Sequence, residues 1–190
     1  WRPTEYGRVM GQYSLIDFRG GPREIPPRFV FGCNFSIRKG FLRQVGGFHP
    51  DGEPEHRLRF RGDGETSVSD AVSARGMKAL FHPDASVLHT VTSGRLSWQY
   101  LYKRAYAQGV SDSYTLTRRI GHRSYRKRLR NRLHHAAFLA REWIGSARGS
   151  EDPVSGILRR GHFAGFEFHQ RAMDEDPALL EWVLKPSYLP

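Results

Sequence analysis

One cysteine, Cys33, stands among 190 residues, which excludes an internal disulfide framework and any zinc cluster built on several thiolates, and suits a reducing compartment. Its apolar neighbours Val30 and Phe31 predict a buried thiol. No apolar run comes near the roughly 20 residues that cross a bilayer as a helix, and no signal-peptide pattern opens the chain. The segment therefore reads as soluble, or peripheral to a membrane at most. Acids are scarce: 19 Asp and Glu stand against 30 Lys and Arg, a formal net charge of +11. A surface of that sign attracts phosphates, nucleotides, nucleic acid or anionic lipid, and charge alone does not choose among them. No internal repeat is present. The chain opens on Trp1 rather than Met, so an upstream part is expected, and its length suits one domain or one and a half.

What is present changes character along the chain. Residues 1–28 are rich in Gly, Pro and Arg, and the breakers Gly20-Gly21-Pro22 and Pro26-Pro27 predict a long loop with one short strand at most. Alternation of apolar with small or polar residues predicts a strand over Phe29–Ile37, and a short amphipathic helix follows over Lys39–Val45, stopped by Gly46-Gly47. Val68, Ala71 and Val72 share one face of a helix over Thr66–Arg75, with Thr66 as its cap and Gly76 just past its end. Brief strands are predicted at Lys78–Phe81 and Ser86–Val91. This alternation of strand and helix predicts an α/β sandwich. After Gly94 the spacing becomes helical from Trp98 onward, with further helices over about 153–173 and from Asp176-Pro177 to Leu184, where Asp suits an N-cap and Pro the first helical position.

Several constellations can carry chemistry. In Asp63-Gly64-Glu65, two carboxylates flank a glycine that lets a substrate approach the backbone, and a carboxylate beside a hydroxyl acts as a general base as attack develops. The local pattern equally suits a solvated acidic turn capping the next helix. His89, at the end of a predicted strand, offers an imidazole to a divalent metal, although a lone histidine is more often structural. Asn34 and Ser36 can line a polar cleft or sit on an ordinary edge. Arg95, after Thr92-Ser93-Gly94, has a planar fork suited to a diphosphate. Asp174-Glu175-Asp176 precedes Pro177 and reads as a helix cap rather than a metal motif. The stretch from Arg118 to Arg132 holds eight Lys and Arg and no acid. It reads first as a solvated helix face, then as a contact for anionic lipid. Nucleic acid ranks last, because Tyr125 is its one aromatic available for stacking.

The order of four blocks carries a resemblance. Gly32-Cys33-Asn34-Phe35-Ser36-Ile37-Arg38, then Leu42-Arg43-Gln44-Val45-Gly46-Gly47-Phe48, then the acidic turn, then Pro83-Asp84-Ala85-Ser86-Val87-Leu88-His89 resembles the C-terminal half of family 2 glycosyltransferases of the GT-A fold, over about residues 28–110. The resemblance implies a partial, Rossmann-like GT-A sandwich: an acceptor-side half at residues 1–116 and a basic helical extension at 117–190. The nucleotide-binding half and its Asp-x-Asp have no counterpart here, so the chain is expected to be a fragment of a larger enzyme. It implies inverting transfer of a sugar from a nucleotide-diphospho-sugar to a hydroxyl of a sugar or glycolipid, in bacterial polysaccharide or glycoconjugate synthesis. Glu65 would be the base, in a place where the family carries Asp, with Asp63 able to share the role. His89 would help hold a Mg²⁺ or Mn²⁺ ion on the diphosphate, and Arg95 would meet its charge. Gly32 and Asn34 would line the cleft, and Trp98 would begin a helix near the acceptor. The expected location is the cytoplasm, with peripheral contact at the inner face of the membrane through residues 118–132. A basic module that binds anionic membrane or nucleic acid without catalysis is the alternative.

Overall fold

The computed structural model describes residues 11–15, 18, 20–51, 62–121, 129–130, 133, 136–137, 140 and 153–189, and every structural statement below concerns these. They divide into two compact units: one takes the residues up to Thr92 together with the tail from Lys185, and the other runs from Ser93 to Leu184. The break comes after Thr92, whereas a boundary at 116/117 falls inside a continuous helix, Trp98–Ile120.

The α/β sandwich is not formed. Strands β1 (Arg23–Ile25) and β2 (Ala79–Phe81) make a two-stranded antiparallel ribbon, with Arg23 opposite Phe81 and Ile25 opposite Ala79, and most of the remaining regular structure is helical. A Rossmann-like sandwich needs a parallel sheet covered on both faces, and neither the parallel strands nor their partners exist among the described residues. The expected strand at Phe29–Ile37 is replaced by two 3₁₀ turns, Pro27–Phe29 and Gly32–Asn34. Their backbone groups bond locally, Phe29 N–H to Pro26 O at 2.9 Å and Asn34 N–H to Phe31 O at 2.9 Å. Pro26 and Pro27 bring no N–H to a ladder. Ser86–Val91 likewise forms no strand, and Leu88 there is fully exposed at 102%.

The helices follow their sequence signals closely. In the first unit, α1 (Lys39–Gln44) ends before Gly46 and Gly47, and α2 (Thr66–Ala74) ends in a Schellman motif. There Met77 N–H bonds Val72 O at 3.1 Å, Gly76 N–H bonds Ser73 O at 3.1 Å, and Gly76 takes φ +63°, which a residue with a Cβ adopts only at a cost. Thr66 is the first helical residue rather than the cap; Glu65 holds the cap position and its side chain makes no cap bond, being engaged elsewhere.

In the second unit, α3 (Trp98–Ile120), α4 (Pro153–Glu175) and α5 (Pro177–Leu184) pack together. Ser97 caps α3, accepting from Tyr100 N–H at 3.2 Å. Helices α3 and α4 approach so closely that a Cβ on Gly109 would lie 1.9 Å from His162 O, and one on Gly165 would lie 2.0 Å from Tyr106 O. That proximity lets a buried polar chain form between them: Ser113 Oγ lies 2.8 Å from His169 Nδ1, and Gln170 Nε2 donates to Ser113 Oγ and Thr117 Oγ1 at 2.8 and 3.2 Å. Leu101, Ala105, Val110 and Tyr114 pack alongside, with the Trp182 ring of α5 edge-on to Tyr114 at 6.0 Å. Asp176 caps α5 as its sequence predicts, accepting from Ala178 N–H at 3.0 Å and Leu179 N–H at 3.2 Å. Asp176→Ala is expected to cost about 1 kcal/mol, the usual worth of a cap, read as a lower urea midpoint at unchanged slope.

Candidate functional site

The site begins with a turn. Gly64 sits at φ +51°, and a Cβ there would meet the Asp51 carboxylate at 3.2 Å, so glycine is required both by conformation and by space. The turn delivers the half-buried Glu65 side chain to the backbone of the 3₁₀ turn at residue 32, where Gly32 N–H donates to Glu65 Oε1 at 2.9 Å. A Cβ on Gly32 would come within 3.3 Å of both carboxylate oxygens, so the bare backbone makes this approach possible. One N–H fixes the carboxylate's direction, and the second oxygen keeps lone pairs that this bond does not use. Glu65 is therefore oriented without being consumed.

Asp63 serves differently. Its side chain is buried, and Oδ1 lies 2.6 Å from Nδ1 of His49, itself nearly buried and edge-on to the Tyr188 ring at 5.5 Å. An ionised carboxylate only accepts, so His49 Nδ1 carries the proton in this bond. The pair ties the approach to the acidic turn to the segment after Gly46-Gly47. Sequence reasoning passed over His49, since nothing in Phe48-His49-Pro50 marks a partner for a residue 14 positions ahead. Asp63→Ala removes the carboxylate that a nearly buried imidazole donates to and is expected to cost about 2–3 kcal/mol in chemical denaturation, the scale of a charged hydrogen bond; Asp63→Asn should recover part of it.

The later block joins the same region. Asn34 Nδ2 donates to Ala85 O at 2.7 Å, across 51 residues of sequence, and the Phe35 and Phe48 rings meet edge-on at 5.4 Å. His89 Nδ1 lies 2.8 Å from Tyr13 O. A carbonyl cannot donate, so Nδ1 carries the proton in this bond, and Nε2 keeps a lone pair whenever the ring is neutral. His89 and Asn34 line a cavity of about 600 Å³ whose lining does not include Glu65, Asp63 or Gly32. Cys33 lines it too, and its thiol is exposed rather than buried: the 3₁₀ turn at Gly32–Asn34 replaces the strand that would have pointed it inward.

The remaining expected residues lie in the other unit. Arg95 stacks over the Tyr100 ring at 5.9 Å, and Trp98 opens α3 with 55% of its surface exposed. Of the basic stretch, Arg118 donates to Val183 O at 2.6 Å and covers the Tyr114 ring, closing the end of α5; residues 122–128, 131 and 132 lie outside the described residues. Among the described residues, no three His, Cys, Asp or Glu side chains gather in a way that would hold a metal ion, and no helix is long and apolar enough to cross a membrane. Compared with protein-family models, with curated proteins and with solved structures, the chain matches none, so its functional reading rests on this geometry and on the ordered motifs.

Proposed function

We propose that this chain carries the hydroxyl-activating side of an inverting glycosyltransferase, which moves a sugar from a nucleotide-diphospho-sugar to a hydroxyl of a sugar or glycolipid acceptor. The observation that carries this reading is the contact between Gly32 and Glu65, 33 residues apart, which joins two of the four ordered motifs. The bonds of Asn34 to Ala85 and the packing of Phe35 on Phe48 tie in the other two. The reading concerns the chemistry of this acidic turn and does not depend on a sandwich fold.

Glu65 takes the acceptor's proton as its oxygen attacks the anomeric carbon. The new C–O bond forms on the face opposite the departing diphosphate, so configuration inverts. Gly32 N–H holds the carboxylate in one direction, which reduces the freedom lost on reaching the transition state. Asp63, turned onto His49, positions the turn and is the weaker candidate for the base. Nε2 of His89 can accept a hydrogen bond from a substrate hydroxyl. A divalent ion does not fit the described residues by themselves. His89 supplies one nitrogen, and among the described residues no two further His, Cys, Asp or Glu side chains gather with it to complete a shell for Mg²⁺ or Mn²⁺. Arg95 and Trp98 belong to the other unit. Bacterial polysaccharide or glycoconjugate synthesis, with the protein at the inner face of the cytoplasmic membrane, is the setting that suits such an acceptor.

The test is a donor and acceptor screen, run on the chain together with the nucleotide-binding half that this reading requires. Uridine, guanosine and thymidine diphospho-sugars are incubated with free and lipid-linked glycans, and release of nucleoside diphosphate is followed with the acceptor mass. Acceptor-dependent release with a matching mass gain is expected for at least one pair. Release that ignores the acceptor would assign the chain a hydrolase activity instead.

A further inference from the structure

The first unit holds a cavity whose lining does not include the acidic turn. Its volume of about 600 Å³ falls within the range of small-molecule pockets, roughly 300–1,000 Å³. Ile25, Phe35, Phe41, Val72 and Phe81 form apolar walls, and Leu80 and Val87 extend them outward at 71% and 53% exposure. Arg38 and Lys78 bring positive charge to its lining, with the imidazoles of His82 and His89 beside them, and among the described residues no Asp or Glu lines it. Lys78 pairs with Glu24, which lies outside the lining, through an exposed contact, and His82 stands 3.8 Å from Asp84. Arg38, at the start of α1, has no carboxylate partner among the described residues.

An apolar hollow edged by cations selects against two kinds of occupant. A neutral hydrocarbon would strip water from Arg38 without repaying it, and a cationic amphiphile would be repelled. A free phosphate would leave the aromatic walls wet. An alkyl chain needs no hydrogen bonds, and a terminal anion finds the guanidinium fork. We propose that this cavity binds a single-chain amphipathic anion, its alkyl chain against Phe35, Phe41 and Phe81 and its phosphate or carboxylate head at Arg38. The site shares His89 with the sugar-transfer reading, but Glu65, Asp63 and Gly32 are not part of its lining, so lost amphiphile binding in Arg38→Glu and lost transfer in Glu65→Gln are separate outcomes.

The experiment is isothermal titration of the whole chain with dodecyl phosphate below its micelle concentration. Dodecyltrimethylammonium, with the same tail and the opposite charge, and inorganic phosphate, with the head alone, serve as the other arms. Dodecyl phosphate is expected to bind at one site per chain, at least tenfold more tightly than either. The exposed Arg38→Glu should weaken it tenfold or more with unchanged circular dichroism, while Val72→Phe, which occupies part of the hollow, should weaken it with the head-binding groups intact. Equal binding of both tail charges would reduce the cavity to a nonspecific apolar surface, and equal binding of inorganic phosphate would reduce it to an anion contact. Either result overturns the proposal, as does Arg38→Glu binding like wild type or a chain that self-associates and takes up no probe.

Discussion

Gly109→Ala is expected to destabilise the helical unit by about 3 kcal/mol or more, among the largest effects a single methyl can have. The added Cβ would sit 1.9 Å from His162 O and 2.8 Å from Phe166 N, both backbone atoms, where real Cβ contacts essentially never fall below 3.0 Å. No rotamer change relieves such a clash, so α3 and α4 must separate by more than an ångström. Separation stretches the bonds from Gln170 to Ser113 and Thr117 and leaves buried polar atoms without water or partners. Alanine's better helix propensity returns about 1 kcal/mol, too little to compensate. Gly165→Ala should behave alike, since its Cβ would meet Tyr106 O at 2.0 Å. Gly40→Ala is the control: it lies inside α1 with nothing within 4 Å of its Cβ, so it should be neutral or slightly stabilising. Urea unfolding followed by helical circular dichroism checks all three, and a Gly109→Ala protein within about 0.5 kcal/mol of wild type, the scale of an ordinary surface change, would contradict the close helix crossing.

Glu65→Gln is expected to lower kcat for sugar transfer by about 10²–10⁴-fold, the range of a lost general base, with KM for the donor nearly unchanged. Glutamine keeps a side-chain oxygen for Gly32 N–H, so the 2.9 Å contact and the turn should survive. It lacks only the basicity that accepts a proton. The split between kcat and KM is therefore informative: a group acting in the transition state alone changes kcat, whereas a collapsed turn would also change binding. Gly32→Ala probes the same contact from the backbone side. Its Cβ would press on both carboxylate oxygens at 3.3 Å, displacing them by a few tenths of an ångström. A smaller loss in kcat than that of Glu65→Gln is expected.

Much of the helical framework was legible because its signals are local. Asp176-Pro177 caps α5, Gly76 closes α2 in a Schellman motif, and Gly46-Gly47 ends α1, each read from a few adjacent residues. The strand at Lys78–Phe81 and the one short strand of the opening loop were legible and form β2 and β1, whereas the strand at Phe29–Ile37 was not, because alternation reports only that one face is apolar, and a strand exists when a partner strand completes its bonds. Without partners, the proline-rich entry and the glycine at 32 settle into 3₁₀ turns, and Cys33 turns outward. The glycines at 109, 161 and 165 misdirect in the opposite way. In sequence they weaken a helix, and only the packed pair reveals that each makes room for a neighbouring backbone. In the candidate site, the residue types were readable and their pairing was not: Glu65 with Gly32 and Asp63 with His49 are separated by 33 and 14 residues, and no local rule selects those partners.

Proton NMR of the product formed from a nucleotide-diphospho-sugar of known anomeric configuration tests the central claim most directly. A product of opposite configuration, formed by the wild-type chain together with its nucleotide-binding half and nearly lost in Glu65→Gln, is the predicted result. Retained configuration, or product formed undiminished by Glu65→Gln, would contradict a transfer driven by the carboxylate that Gly32 holds in place.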